Sequence, residues 1–287
     1  MLSLPHRRTR GEIVRARLVK APLSARFGML MLALYILTAL FAPLIAPYGE
    51  AEVTGKAFQP WSDAHWLGTD QLGRDMLARM IYAARNSMGI AFLATLLSFM
   101  TGGVLGIVSA LLGGWADQAI SRVVDALMAI PGLIFALMAL ALLGPTVPNL
   151  IFVIAAIDAT RVFRLTRAVA LGVVAQDFVE AARLRGEGPG WIVLREILPH
   201  TLPPLITEFG LRYCFVFLTI AALSFLGVGL QPPTADWGSM VRQNATLITY
   251  GNITPLLPAA AIALLTLSVN FVVDWLLQVT GGVSDGR

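Results

Sequence analysis

Long apolar runs, each closed by charge, proline or glycine, set the organisation of this chain. A bilayer core about 30 Å thick needs roughly 20 predominantly apolar residues per crossing helix. Six runs of that kind occur, at about 28–47, 87–112, 119–143, 147–173, 205–230 and 253–280. The pattern predicts an all-α membrane protein with six transmembrane helices. The fourth run is the least apolar, because Asp158, Arg161, Arg164 and Arg167 crowd its second half. In the second, Ser98, Gly102, Gly106, Ala110 and Gly114 stand four apart, a stripe of small residues that lets another helix approach closely. Tight packing is the expected role, a sliding or pore-lining face the alternative. Pro131-Gly132 falls midway along the third run, where the missing N–H should bend the helix. The bend is either static or a gating hinge.

The segments between the runs fix orientation. Arg7, Arg8, Arg10, Arg15, Arg17, Lys20 and Arg26 stand against the single acid Glu12 in residues 1–27, so this basic leader is expected to stay in the cytoplasm and the first run to be retained as a helix rather than cleaved as a signal peptide. Residues 28–280 form the membrane domain and 281–287 a cytoplasmic tail. The 48–86 and 231–252 loops then face outward, and a loop at 174–204, with Arg183, Arg185 and Arg195, faces the cytoplasm. In the first external loop, Thr69 or Asp70 is expected to cap an amphipathic helix with Leu72, Met76, Met80 and Ile81 on one face; lying flat at the outer membrane surface is its expected role, covering the external mouth of a pore the alternative. The second contains Gln231-Pro232-Pro233, Trp237 and Tyr250, a surface loop with aromatic anchors. The cytoplasmic loop predicts a compact helix-turn-helix: a first helix to about Gly186, a reversal at Gly188-Pro189-Gly190, and a second apolar stretch before Pro199.

Composition narrows the chemistry. The chain is 57% hydrophobic and 13% charged, against about 25% charged in soluble domains. Its +4 net charge is spread among apolar runs rather than gathered with stacking aromatics, which argues against nucleic acid. Cys214 is a lone cysteine, and His6, His65 and His200 lie far apart; neither a disulfide scaffold nor a metal site is expected. Gly55-Lys56 is followed by alanine and is no phosphate loop, and no nucleophile motif is present. No catalytic, cofactor or metal residue is therefore assigned, and a membrane enzyme is set aside. Ionisable groups inside spans each need a reason. Asp158 precedes Arg161 by three residues and Glu208 precedes Arg212 by four, spacings that put opposite charges on one helix face. They are either locally neutralised pairs or, with Pro131, parts of a translocation path or gate.

Four separated motifs carry a resemblance. Glu180-Ala181-Ala182, Gly186 and Ile197-Leu198-Pro199 resemble the EAA loop of binding-protein-dependent ABC importer permeases. His65 to Asp75, Asp125 to Gly132 and Leu223 to Gly238, with Pro258-Ala259, Asn270 and Asp274, are similar to the second permease subunit of dipeptide, oligopeptide and nickel importers, over about residues 28–275. The resemblance implies a type I importer fold in the bacterial inner membrane, with peptides or a peptide-like solute as cargo. It implies a homologous second permease, two cytosolic ATPase subunits that use the ATP, and an external solute-binding protein as partners. Glu180, Ala181, Ala182 and Gly186 would shape the helix that couples to the ATPase, and Leu198 and Pro199 would fix its return into the bilayer. The chain departs from the family at Arg185, commonly leucine, and at Val273, commonly glycine. A stand-alone channel or ion-coupled carrier is the rival reading, with Asp158 or Glu208 binding the ion.

Overall fold

The computed structural model describes residues 21–280; most of the basic leader and the whole 281–287 tail lie outside the described residues. Eleven α-helices follow in chain order: α1 (Leu23–Leu40), α2 (Ala42–Ile45), α3 (Met76–Leu112), α4 (Gly114–Met128), α5 (Gly132–Leu143), α6 (Val147–Val174), α7 (Asp177–Leu184), α8 (Pro189–Ile192), α9 (Leu198–Leu226), α10 (Trp237–Asn244) and α11 (Leu256–Thr280). A π-turn at Val193–Ile197 joins α8 to α9, and a 3-10 turn at Ala245–Tyr250 follows α10. Among the described residues no strand forms, only the isolated bridges Val53 to Arg74 and Thr69 to Asp75.

Among the described residues, four helical stretches are long and apolar enough to cross a membrane: Leu23–Leu40, Met76–Leu112, Pro189–Leu226 and Leu256–Val279. A fifth crossing arises if α4 and α5 together make one span. Helix α6 has 28 residues, about 42 Å at 1.5 Å per residue, but its four charges keep it less apolar than the others. It lies along α3, and the small-residue stripe explains how. A Cβ on Gly102 would collide with the Ala159 carbonyl oxygen, and one on Gly106 would come within 2.9 Å of the Phe163 carbonyl. The stripe is a packing seam, as expected. Most buried apolar side chains gather in one core drawn from α3, α5, α6, α9, α10 and α11, including Met88, Leu150, Phe217 and Leu265.

Three expectations are corrected. The third run does not merely bend at Pro131: α4 and α5 meet at 85°, because Ala129 to Pro131 leave the helix and Pro131, with ψ 119°, restarts it as an N-cap. No separate surface helix begins at Thr69. Asp75 caps α3 by accepting from the Ala78 N–H at 2.8 Å, and the helix runs unbroken for 37 residues. Its apparent polar face is turned inward: Asp70 lies 2.7 Å from Arg74 Nε and 3.4 Å from Arg79 Nε, and all three residues are buried. Trp237 is no surface anchor either; it is 2% exposed, wedged edge-on against Tyr35 and Phe217, with its indole N–H donated to the Met80 carbonyl. Tyr250 does stand out, 84% exposed.

One family departure has a steric counterpart. Val273 on α11 is buried, and a Cβ on Gly210 of α9 would collide with its Cγ2. The space that glycine would provide on one helix is here provided on the other.

Candidate functional site

The loop after α6 is built as the sequence suggests. Helix α7 is amphipathic: Val179 and Ala182 are fully buried, in a second apolar cluster with Ile107, Ala110, Ala170, Ile192 and Ile197. Ile107, Ala110 and Ala170 come from the C-terminal ends of α3 and α6, and Ile192 and Ile197 from the loop's own return limb, so the loop is seated at the end of the bundle away from Asp75. Burying one face turns Glu180, Ala181 and Leu184 outward, Leu184 at 84% exposure. Gly186 ends the helix with φ +79°, and two bonds close the turn: its own N–H to the Arg183 carbonyl, and the Glu187 N–H to the Ala182 carbonyl. That double closure satisfies carbonyls the helix would leave open, and it requires the left-handed conformation that glycine adopts most cheaply. Arg185 reaches Glu196 at 3.9 Å and lies over Trp191 at 5.9 Å, joining the two limbs of the loop where a leucine could not.

The return limb is one continuous stretch: α8, the π-turn and α9 run together from Pro189 to Leu226. Pro199 stands just after the π-turn, inside the continuous stretch rather than at a free helix start. Pro203 and Pro204 sit inside the helix on an exposed side with Pro199 and His200, so the carbonyls that lose a donor are not sealed in the core. The reversal itself lies at residues 186–188.

The charged residues inside the spans prove to be one cluster rather than two local pairs. Arg212 of α9 binds Glu208 at 2.6 Å, and its Nη1 also lies 3.8 Å from Asp158 Oδ1 on α6. Arg161 Nη1 lies 3.8 Å from the same oxygen. Ser98 of the small-residue stripe donates to Asp158 Oδ2 at 3.2 Å. Asp158 is 3% exposed, and its carboxylate ties α3, α6 and α9 together while Oδ1 accepts no hydrogen bond. Pro131 stands apart from the ion pairs but close in space: the α4/α5 corner forms a pocket with Gly132, Thr160 and Arg161 in its lining. Sequence spacing missed a further link. Asp117 of α4 accepts a two-pronged contact from Arg167 of α6, fifty positions away, and a hydrogen bond from Ser109 of α3. Its only early sign was that an arginine inside a span wants an acid.

At the opposite end, two of the motifs become structural knots. His65 Nδ1 meets Asp75 Oδ2 at 2.9 Å, and Asp70 accepts from the Leu72 and Arg74 N–H groups and from Arg74 Nε. These bonds fold the 46–75 segment onto the start of α3. Asp236 caps α10 through the Ser239 N–H at 2.8 Å and takes the Ser87 hydroxyl at 2.9 Å. Burial pushes the Asp236 carboxyl above the usual range, against these hydrogen bonds. A raised acid favours folding fully below its ordinary pKa of about 3.9, and that contribution is lost as pH climbs through the raised value. Asp236→Asn keeps one oxygen for Ser239, and the Ser87 hydroxyl can turn to accept from the new amide. The variant is therefore expected to gain in melting temperature relative to wild type as pH rises from 4 to 7; a constant difference across that range would show that Asp236 is not held protonated.

Comparison with known proteins follows the same lines. Residues 102–280 match the family described as binding-protein-dependent transport system inner membrane component, and residues 11–63 match the N-terminal TM domain of oligopeptide transport permease C. The chain is 34% identical over 250 residues to the dipeptide transport system permease protein DppC of Alkalihalophilus pseudofirmus, covering 87% of this chain and 82% of that one. It is 35% identical over 256 residues to the di/tripeptide transport system permease protein DppC of Pseudomonas aeruginosa, covering 87% and 84%. In fold it is similar to a chain of the MetNI methionine ABC transporter in an inward-facing conformation, with TM-score 0.59 and 17% identity over 71% of this chain and 97% of that one.

Proposed function

The chain belongs to the family of binding-protein-dependent transport system inner membrane components, and from that premise we propose that it is one of two paired permeases in a peptide importer. It is a multi-pass permease subunit of an ATP-driven importer of the bacterial inner membrane, and its family works with ATPase subunits. The cargo is a short peptide or peptide-like solute, the class named for its relatives. The partners are a homologous second permease, two cytosolic ATPases that bind and use the ATP, and an external solute-binding protein. Both termini lie in the cytoplasm, as the arginine-rich leader favours.

The observation that carries this reading is the mounting of α7. Val179 and Ala182 hold it to the ends of α3 and α6, while Glu180, Ala181 and Leu184 are left facing outward. An exposed apolar residue beside an acid, on a short helix fixed to the bundle, suits a groove on another subunit. Closure of the ATPase dimer on ATP would push this helix and shift the paired permeases between inward- and outward-facing states, through the difference in ATP affinity between the open and closed forms. The test is purification of the tagged chain in mild detergent, expressed with its neighbouring genes, followed by mass spectrometry. Recovery of a second permease and an ATPase is the expected result; recovery of this chain alone, with those partners present in the same membranes, would refute it.

A further inference from the structure

The α4/α5 corner holds a pocket that the packing of the bundle does not account for. Its walls are apolar, from Met128, Ile130 and Phe135 on one side and Ile157 on the other, with Thr160 and Arg161 as the polar members. Thr160 spends its hydroxyl on the Ile157 carbonyl at 2.7 Å, which leaves Arg161 as the group able to recognise a ligand. Gly132 keeps the way to it open. A Cβ there would stand 3.1 Å from Ile157 Cγ2 and 3.9 Å from Arg161 Nη2, so any side chain would begin to fill the gap.

Arg161 is poised rather than committed. Its side chain is 45% exposed, it makes no hydrogen bond among the described residues, and its one ionic partner, Asp158 Oδ1, lies at 3.8 Å, too far to accept from it. That oxygen is equally close to Arg212, which is itself fixed by Glu208. Two acids and two guanidiniums balance the cluster, and Asp158 would keep both Arg212 and Ser98 if Arg161 turned away. A guanidinium in that condition presents its planar donors to a carboxylate at little cost to the structure around it.

We infer that the corner pocket is a binding station for the C-terminal end of a passing short peptide, with Arg161 holding the terminal carboxylate and the wall around Met128, Phe135 and Ile157 taking an apolar last side chain. The assignment deepens the peptide-importer reading and rests on it. When cargo arrives, its carboxylate replaces Asp158 at Arg161, and Asp158 falls back on Arg212 and Ser98. When cargo leaves, the loose Arg161 to Asp158 pairing returns. An amine has no acceptor for the guanidinium, and an amide offers one neutral oxygen in place of a carboxylate's charged pair.

A photoreactive probe tests this on the importer purified with its partners and without binding protein: the dipeptide alanyl-p-benzoylphenylalanine, as free acid and as C-terminal amide. Labelled positions in this chain are read by mass spectrometry, so the result is independent of which partners copurify. The free acid is expected to label Met128 or Ile157 about tenfold or more above the amide, the scale of one charge-assisted hydrogen-bonded contact. Arg161→Gln should remove that preference and Arg161→Lys should keep part of it. Equal labelling by acid and amide, a preference unchanged in Arg161→Gln, or no labelling of the corner by either form would overturn the assignment. Failure of the ATPase to copurify would instead count against the importer reading, with the labelling pattern still legible.

Discussion

Leucine at Gly102 leaves little folded permease. The obstacle is the Ala159 carbonyl oxygen, part of the backbone of α6, so neither a rotamer change nor a flexible neighbour can relieve the overlap. Overpacking a well-filled interior costs ~1–3 kcal/mol when side chains can shift, and the upper end or beyond is expected where a helix axis must move. The displacement would also draw Ser98 away from Asp158 across the same seam. In detergent, Gly102→Leu should lose its cooperative unfolding transition. Gly103→Leu is the control, since nothing lies within 4 Å of a Cβ at that position, and it should unfold as wild type does. Equal melting of both variants would mean that α3 and α6 are not locked at Gly102.

Proline at Gly186 abolishes transport without preventing insertion. The residue has φ +79°, proline is fixed near −65°, and the N–H donated to the Arg183 carbonyl is lost with it. The last turn of α7 must then reopen, which redirects Leu184 and Arg185. Gly186→Ala, which costs ~1–2 kcal/mol for the left-handed conformation and meets nothing within 4 Å of its Cβ, should retain most uptake. Glu180→Lys makes the complementary test: the side chain is exposed, so the fold should stand while the charge offered to the ATPase is reversed. Uptake in proteoliposomes, together with ATPase recovery, checks all three. Normal transport by both Gly186→Pro and Glu180→Lys would mean that this loop is not where the subunits couple.

Elements were legible in the sequence wherever a residue's local neighbours decide its fate. The apolar runs became helices, the every-fourth stripe became a seam, and Gly186 ended α7, because each depends on period or backbone conformation alone. What failed depended on partners distant in the chain. Residues 69–81 carry a polar face that reads as water-facing, yet Asp70 pairs with both Arg74 and Arg79 and all three are buried. Trp237 follows two prolines and reads as a surface anchor, until Tyr35 and Phe217 arrive from other helices to enclose it. The loop boundary drawn at residue 204 falls inside α9, because an exposed helix side tolerates the missing donors of Pro203 and Pro204. The charged cluster shows both outcomes at once: the spacings 158/161 and 208/212 correctly named its members, while only packing of α6 against α9 could reveal that they share one carboxylate.

The exchange of space between Gly210 and Val273 also bears on how substitutions in this family are to be weighed. If two helices must meet at a fixed distance, the requirement for a small side chain attaches to the pair of facing positions, and either can satisfy it. Across relatives, the two sites should therefore trade: a glycine on the last helix frees position 210 to enlarge, while a valine there forbids it. Gly210→Ala in this chain should be damaging, and the double change Gly210→Ala with Val273→Gly should restore what the single change removes. A position that looks poorly kept when read alone would then be strictly kept as half of a couple.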